Sequence, residues 1–387
     1  MKRQRGFTLI ELMVSMSIVV SVVAIATDAL MQAEHVTTMV SYEANTQENL
    51  RAGMHFMVRD LMQAGEGIPQ GGISLPYTAT SAVNRPGTAT TFPVAYITLP
   101  AITPGSLAGQ LATSINPSTN AVLTGTPTDI INIIYADNVL VDAAGHYLYS
   151  YPVVQGAPST PVCAGTISAT GASVTLAPAC FTMPGVTNPI TTGNLIMFHN
   201  QNGTALEYVT SVAGPTINFA AGDPAGLNQT GLANGTVAKL ATTPGVFPPT
   251  TVTRVWMVTY YINSATATDP QLIRQVNYPG YPAGGPVNPP QAIADDIENL
   301  GFSYDITSST DAAGVYPNGP GNAAQPVLPD TPAQIRAVNV FLAGRSENTY
   351  EAQSTPVFLR NNLSTQVSIR SLSFTNQFQT SAGSTAP

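Results

Sequence analysis

Residue types that carry chemistry are thinly spread along this chain. Its four histidines, His35, His55, His146 and His199, stand far apart with no metal-ligand spacing, and neither HExxH nor GxSxG occurs. Lys239 comes directly after Thr236-Val237-Ala238 and is not part of a phosphate-binding loop. Gly319-Pro320-Gly321-Asn322-Ala323-Ala324 has the look of a dinucleotide loop, but Gln325-Pro326 stands where the receiving helix would have to begin. Asp295, Asp296, Glu298, Asp305 and Asp311 could offer oxygen ligands to calcium, yet the run lacks the spacing and the glycine of an EF-hand. These residues point away from an enzyme. No cofactor is expected, with calcium the one candidate metal.

Three other groups of residues stand out. Cys163 and Cys180 bracket CAGTISATGASVTLAPAC, which reads as two short strands around Thr170-Gly171. Such a hairpin could bring the sulfurs together in an oxidising compartment, where closing the loop would contribute on the order of 3 kcal/mol. The alternative is two buried thiols acting as small hydrophobes. Tyr147, Tyr149 and Tyr151 alternate along one strand face. They either half-cover a sheet or form an exposed row able to bind a glycan or a neighbouring subunit. Glu11 is the third. It interrupts an apolar stretch, where a carboxylate costs roughly 2.5 to 3.5 kcal/mol and usually marks a function with a partner.

The elements that must position these residues begin with that stretch. Lys2, Arg3 and Arg5 precede Gly6, and from Leu12 to Thr27 no charged residue occurs, about 24 Å of helix, or about 31 Å counted from Phe7. The basic start keeps the amino terminus cytoplasmic, so the chain beyond the apolar stretch is exported. A cleavable secretory signal, with Ala24-Ile25-Ala26 as the cutting site, and an uncleaved anchor are both compatible with this layout. Helical patterning continues to about residue 64. Leu50, Met54, Met57 and Leu61 form an apolar stripe that should pack on a domain, Arg51, Arg59 and Gln63 face elsewhere, and Gly65 ends the helix. His55 belongs to the surface of this half.

Gly6-Phe7-Thr8-Leu9-Ile10-Glu11-Leu12 is similar to the prepilin signature of type IV pilins and type II secretion pseudopilins. The resemblance implies that a prepilin peptidase cuts between Gly6 and Phe7 and that Phe7 becomes N-methylated. It also implies that Glu11 serves subunit assembly, its carboxylate neutralised by the α-ammonium of a neighbouring subunit when helices pack side by side. Further segments, LRAGMHFMVRDLMQAG, VTYYINSATATDPQLIRQV, IADDIENLGFSYDI, IRAVNVFLAGRSE and LRNNLSTQVSIRSL, occur in the order seen in PilW-like minor pilins and J-type minor pseudopilins. Implied partners are other minor and major pilins and the inner-membrane assembly platform. The implied location is the bacterial inner membrane with the head in the periplasm, and then a surface pilus.

Beyond residue 70 the chain changes to short β-rich runs. Strands are expected at 92–99, 129–135, 138–151, 194–200, 205–212, 252–262, 300–306, 335–344 and 364–374, with long loops near 100–128, 213–250 and 276–292. Trp256, Val258 and Tyr260 share a face suited to a core. The fold class expected is α+β, a long stalk helix on a β-sheet-rich head. The divisions are a leader at 1–6, a transmembrane and assembly helix at 7–33, an amphipathic stalk at 34–65, an enlarged loop-rich head region at 66–250, a pilin-like β region at 251–376 and a flexible tail at 377–387.

Composition agrees with export. Charged residues are 9% of the 387, against about 25% in an average domain, while 44% are hydrophobic. The polar surface must therefore come from Thr, Ser, Asn and Gln. With 13 basic and 21 acidic residues the net charge is −8, and Lys239 is the only lysine outside the first five residues, so broad nucleic-acid binding is not expected. The 32 glycines and 32 prolines fit a loop-rich folded β protein better than a disordered one.

Overall fold

The computed structural model describes residues 8–69, 71–76, 83–87, 91–92, 97–109, 111–115, 122–137, 151–153, 165–176, 190–229, 231, 234–243, 245–264, 269–278, 289–306, 314–316, 332–352, 355–369 and 371. One long helix, Leu9–Gln63, leads into β-structure, the α+β class expected. At 55 residues it is about 82 Å long. Its end is fixed by glycine geometry: Gly65 and Gly67 take positive φ angles of 78° and 68°. The Gly65 N–H then donates to Ile134 O at 2.8 Å, and Ala136 N donates to Glu66 O at 2.7 Å, so the turn is stitched directly onto a strand.

That strand, Ile130–Ala136, belongs to an antiparallel sheet organised around Thr250–Asn263. One edge of the long strand pairs with Leu195–Asn200 and Gln271–Val276, the other with Tyr151–Val153 and Ile130–Ala136. Gly203–Tyr208 extends the sheet beyond Leu195–Asn200, and Gln291–Ala294 extends it beyond Gln271–Val276. A second antiparallel sheet has the order Gly314–Tyr316, Ile297–Ile306, Ile335–Arg345, Arg360–Ser368. Its register sets Leu300 opposite Leu342, Phe302 opposite Val340 and Tyr304 opposite Val338, all buried.

The helix stripe Leu50, Met54, Met57 and Leu61 enters one core with residues of both sheets, as its spacing predicts. Gly53 lets the backbone come close: a Cβ there would meet Leu272 Cδ2 at 2.8 Å and Leu342 Cδ2 at 3.3 Å, side chains from the two sheets. Asp60, 1% exposed, accepts from the Tyr260 hydroxyl at 2.6 Å and from Arg274 Nε at 2.6 Å. Burial and the Asp60 charge push the nearby Tyr135 up to about 12. A second ion pair lies where the helix leaves the head. Arg345, 1% exposed, reaches Asp296 Oδ1 at 3.5 Å and Glu298 Oε1 at 3.7 Å and stacks on Phe358 with its guanidinium carbon 4.4 Å from the ring centre.

Several strand expectations shift. Residues 205–212 divide at Val209-Thr210: Gly203–Tyr208 stays in the long sheet, while Ser211–Ala213 joins a small sheet with Thr216–Asn218, Ser173–Leu176 and Gly165–Ile167. The strand expected at 364–374 is Arg360–Ser368, its bounds set by pairing Arg345 with Arg360 and Ala337 with Ser368. The expected loop 100–128 contains the strand Ile102–Gly105 and the paired strands Leu111–Ile115 and Val122–Pro127. Pro104 is tolerated because, among the described residues, its strand pairs on one side only, with Ile130–Ala136. Of 92–99, the described strand is Thr98–Leu99, and residues 138–150 lie outside the described residues. Trp256 is half-buried beneath the Arg254 guanidinium, while Val258 and Tyr260 are fully in the core.

The buried ion pairs predict two effects on stability. Asp60→Asn leaves the half-buried Arg274 guanidinium without its counter-charge, and should cost up to about 3 kcal/mol in denaturant unfolding of the detergent-solubilised full chain. Asp295→Asn, at an exposed carboxylate beside the cleft, should stay within about 0.5 kcal/mol. Burial pushes Asp296 up from 3.8 to about 6 despite Arg345. A raised carboxyl pKa makes the folded chain bind the proton more tightly. Its stabilising contribution is full below about pH 4 and is lost as pH rises through about 6. Compared with Asp296→Asn, the natural chain should therefore lose up to about 3 kcal/mol between pH 4 and pH 7. A pH-independent difference would contradict this.

Candidate assembly surface: the N-terminal helix

Thr8 begins the helix as an extended N-cap, with φ −82° and ψ 150°. Its hydroxyl accepts from Glu11 N at 3.3 Å, while Thr8 N and Thr8 Oγ1 donate to Glu11 Oε2 at 3.0 and 2.9 Å. This is a capping box, which satisfies N–H groups that the first turn leaves without partners. Glu11 therefore has a local role as well as the one its apolar surroundings suggest. Sequence reasoning missed it, although the Thr8-x-x-Glu11 spacing was there to be read. Gly6 and Phe7 lie outside the described residues.

From Leu9 to Asn45 no helix residue is buried, although Thr38 and Tyr42 are half-buried; Thr46 is the first buried one. The head's grip thus begins well inside the expected stalk segment 34–65 and leaves about 55 Å of helix uncovered. Except for Met62, Ile97 and Val246, every large exposed hydrophobic residue among those described lies on this length, between Leu9 and Val40. Its few hydroxyls turn inward. Ser15 donates to Leu12 O, Ser17 to Val14 O, Ser21 to Ser17 O and Thr27 to Val23 O, at 2.6 to 2.9 Å. Such bonds hide polar atoms against the helix backbone and suit a segment surrounded by hydrocarbon. The helix is long and apolar enough to cross a membrane.

Where this length meets the head, a cleft of about 660 Å³ separates Tyr42, Asn45, Glu48 and Asn49 of the helix from Asp269, Asp295 and Glu347 of the head. Of the acidic residues considered for calcium, Asp295 and Asp296 line this cleft, while Glu298 and Asp305 do not. Asp296 and Glu298 hold Arg345, and Glu298 also accepts from Arg360 Nε at 2.8 Å. Asp295 accepts from Gln271 Nε2 at 2.9 Å. Asp305 sits at the far end of the strand Ile297–Ile306, about 30 Å away, accepting from Asn339 and Gln366. Asp311 lies outside the described residues. Among the described residues no three acidic, histidine or cysteine side chains are grouped to hold a metal.

The hairpin expected between the cysteines is present: Gly165–Ile167 pairs antiparallel with Ser173–Leu176, turning through Gly171 at φ 75°. Cys163 and Cys180 themselves lie outside the described residues, as do Tyr147 and Tyr149. Tyr151 opens a short strand against Thr250–Val252. His55 is exposed on the helix, edge-on to Phe56.

Residues 1–27 match the family model of the prokaryotic N-terminal methylation motif. No curated protein and no solved structure matches the chain. Motif and membrane-length helix together support a membrane-anchored, type IV pilin-like or pseudopilin protein.

Proposed function

We propose that the chain is a PilW-like minor pilin, a nonenzymatic subunit of the type IV pilus that is incorporated through its N-terminal helix after prepilin peptidase processing. The observation that carries this reading is the apolar helix surface from Leu9 to Val40, on which no residue is buried. In the inner membrane that surface is satisfied by lipid. In a fibre it is satisfied by the helices of neighbouring subunits, with the head facing outward and the assembly platform and other pilins as partners. A J-type minor pseudopilin of a type II secretion system would use the same stalk, and the genes flanking this one would separate the two. A pilin-anchored adhesin is the reading in which the Tyr147, Tyr149 and Tyr151 row binds a glycan.

Processing supplies the first test. Mass spectrometry of the membrane-extracted protein should find N-methyl-Phe7 at the mature terminus, whereas a chain starting at Thr27 would overturn the proposal. Glu11 supplies a sharper one, because its two roles separate by substitution. Glu11→Gln keeps a capping-box partner but no charge; Glu11→Ala loses both. Both variants should reach the membrane at natural levels, since a costly charge has been removed. Both should be recovered in sheared pili at least about tenfold less than the natural chain, because the register-setting ion pair is gone. Failure of Ala with normal incorporation of Gln would place the role of Glu11 in helix capping instead. Finally, export predicts that a nonreducing peptide map links Cys163 to Cys180. Two alkylatable thiols in protein isolated without reductant would contradict that.

A further inference from the structure

Glu207 occupies a position that strand alternation assigns to the core. Its neighbours on the same face, Ala205 and Val209, belong to a hydrophobic cluster with Ile196, Phe198, Phe219 and Val237, while Leu206 and Tyr208 point to the opposite side. Glu207 is 3% exposed. Among the described residues, its carboxyl receives one long hydrogen bond, from Val237 N at 3.4 Å. Burial, with a contribution from the charge of Asp223, pushes it well above the usual carboxylate range. Asp223 itself is committed, accepting from the N–H groups of Ala225, Leu227 and Asn228 at 2.9 to 3.1 Å.

Glu207 forms part of the wall of a pocket of about 390 Å³. Phe219, Val237 and Ala238 provide apolar walls, and the hairpin turn at Gly171-Ala172 forms the rim. The rim is close to its neighbour: a Cβ on Gly171 would lie 2.9 Å from Ala238 N. Asn228 also lines the pocket, but its amide is spent on Tyr208 N, Tyr208 O and Ala220 O. A buried carboxyl at the side of an apolar pocket matches a slender apolar chain ending in a cation better than a polar ring needing many partners.

We propose that this pocket binds a primary alkylammonium group, either a lysine side chain or a free alkylamine, with its methylenes against Phe219 and Val237 and its ammonium on Glu207. The site is independent of the pilin reading. On binding, the Glu207 carboxylate pairs with the ammonium, and any proton it carries passes to solvent. Other titratable groups on the surrounding elements are Asp223, the exposed Lys239 and His199, and Tyr208 on the opposite strand face.

Calorimetry on the full, processed chain in detergent tests this with 1-pentylammonium, 1-pentanol and the lysine derivative Nα-acetyl-lysine methylamide. Buffers of different ionisation enthalpy report proton release. Pentylammonium should bind at least about tenfold more tightly than pentanol. Glu207→Gln should abolish that preference without loss of folding, and Ala172→Phe at the exposed rim should block entry while leaving the carboxyl in place. Comparable binding of the lysine derivative would assign the pocket to a protein partner's side chain, and binding of pentylammonium alone to a free amine; both uphold the site. Equal affinity for amine and alcohol, binding of neither by the folded natural chain, or binding unchanged in both variants would overturn it.

Discussion

Apolar surface left in water costs roughly 25 cal/mol per Å², and the helix from Leu9 to Val40 leaves its large side chains more than a third exposed, Leu9 at 78% and Ile25 at 71%. The rest of the molecule is arranged around that constraint. The head packs against the other end of the helix, from Thr46 onward, and lets the apolar length run free. A head that folded back to cover this surface would satisfy the hydrophobic effect within one chain. It would also remove the apolar surface that suits a membrane.

Holding a long helix by one end demands a firm grip, and the grip has two parts. Non-directional packing comes from Leu50, Met54, Met57 and Leu61, helped by the close approach at Gly53. Directional contacts come from Asp60, which ties the helix to Tyr260 and Arg274, and from the Gly65 and Glu66 backbone bonds to the strand Ile130–Ala136. Buried ion pairs are weak sources of net stability, but they penalise every arrangement in which the partners do not meet. The Arg345, Asp296 and Glu298 group performs the same service inside the head, next to the helix exit. Force applied to the stalk would meet both kinds of contact at once.

Local patterns made part of this legible in the sequence. The apolar stripe, the glycine stop, the long strand near 252–262 and the hairpin around Thr170-Gly171 are all set by neighbours within a few residues. Features that were not legible depend on distance along the chain. Asp60 and Arg274 are 214 residues apart, so nothing local announces their pairing. Asp296 and Glu298 read as candidate calcium ligands because Arg345 and Arg360, which they hold, come from other strands. The strand Ile102–Gly105 was hidden by Pro104, whose missing N–H matters little on a strand paired on one side. At Glu11 the prepilin resemblance drew attention to the assembly charge and away from the simpler capping spacing with Thr8. Glu207 was readable from the alternation in Ala205-Leu206-Glu207-Tyr208-Val209, and its pocket was not.

On the proposed function, the exposed apolar helix finds its partner outside its own chain. Photo-crosslinking measures this directly, with the reactive side chain placed at the exposed Val20 and, for comparison, at the buried Met57. In intact fibres, the Val20 position should yield crosslinks to other subunits, and in membranes before assembly to lipid, while Met57 reacts only within its own head. Crosslinks from Val20 to the head of the same chain would contradict the account, because the apolar helix would then already be covered before any partner arrives.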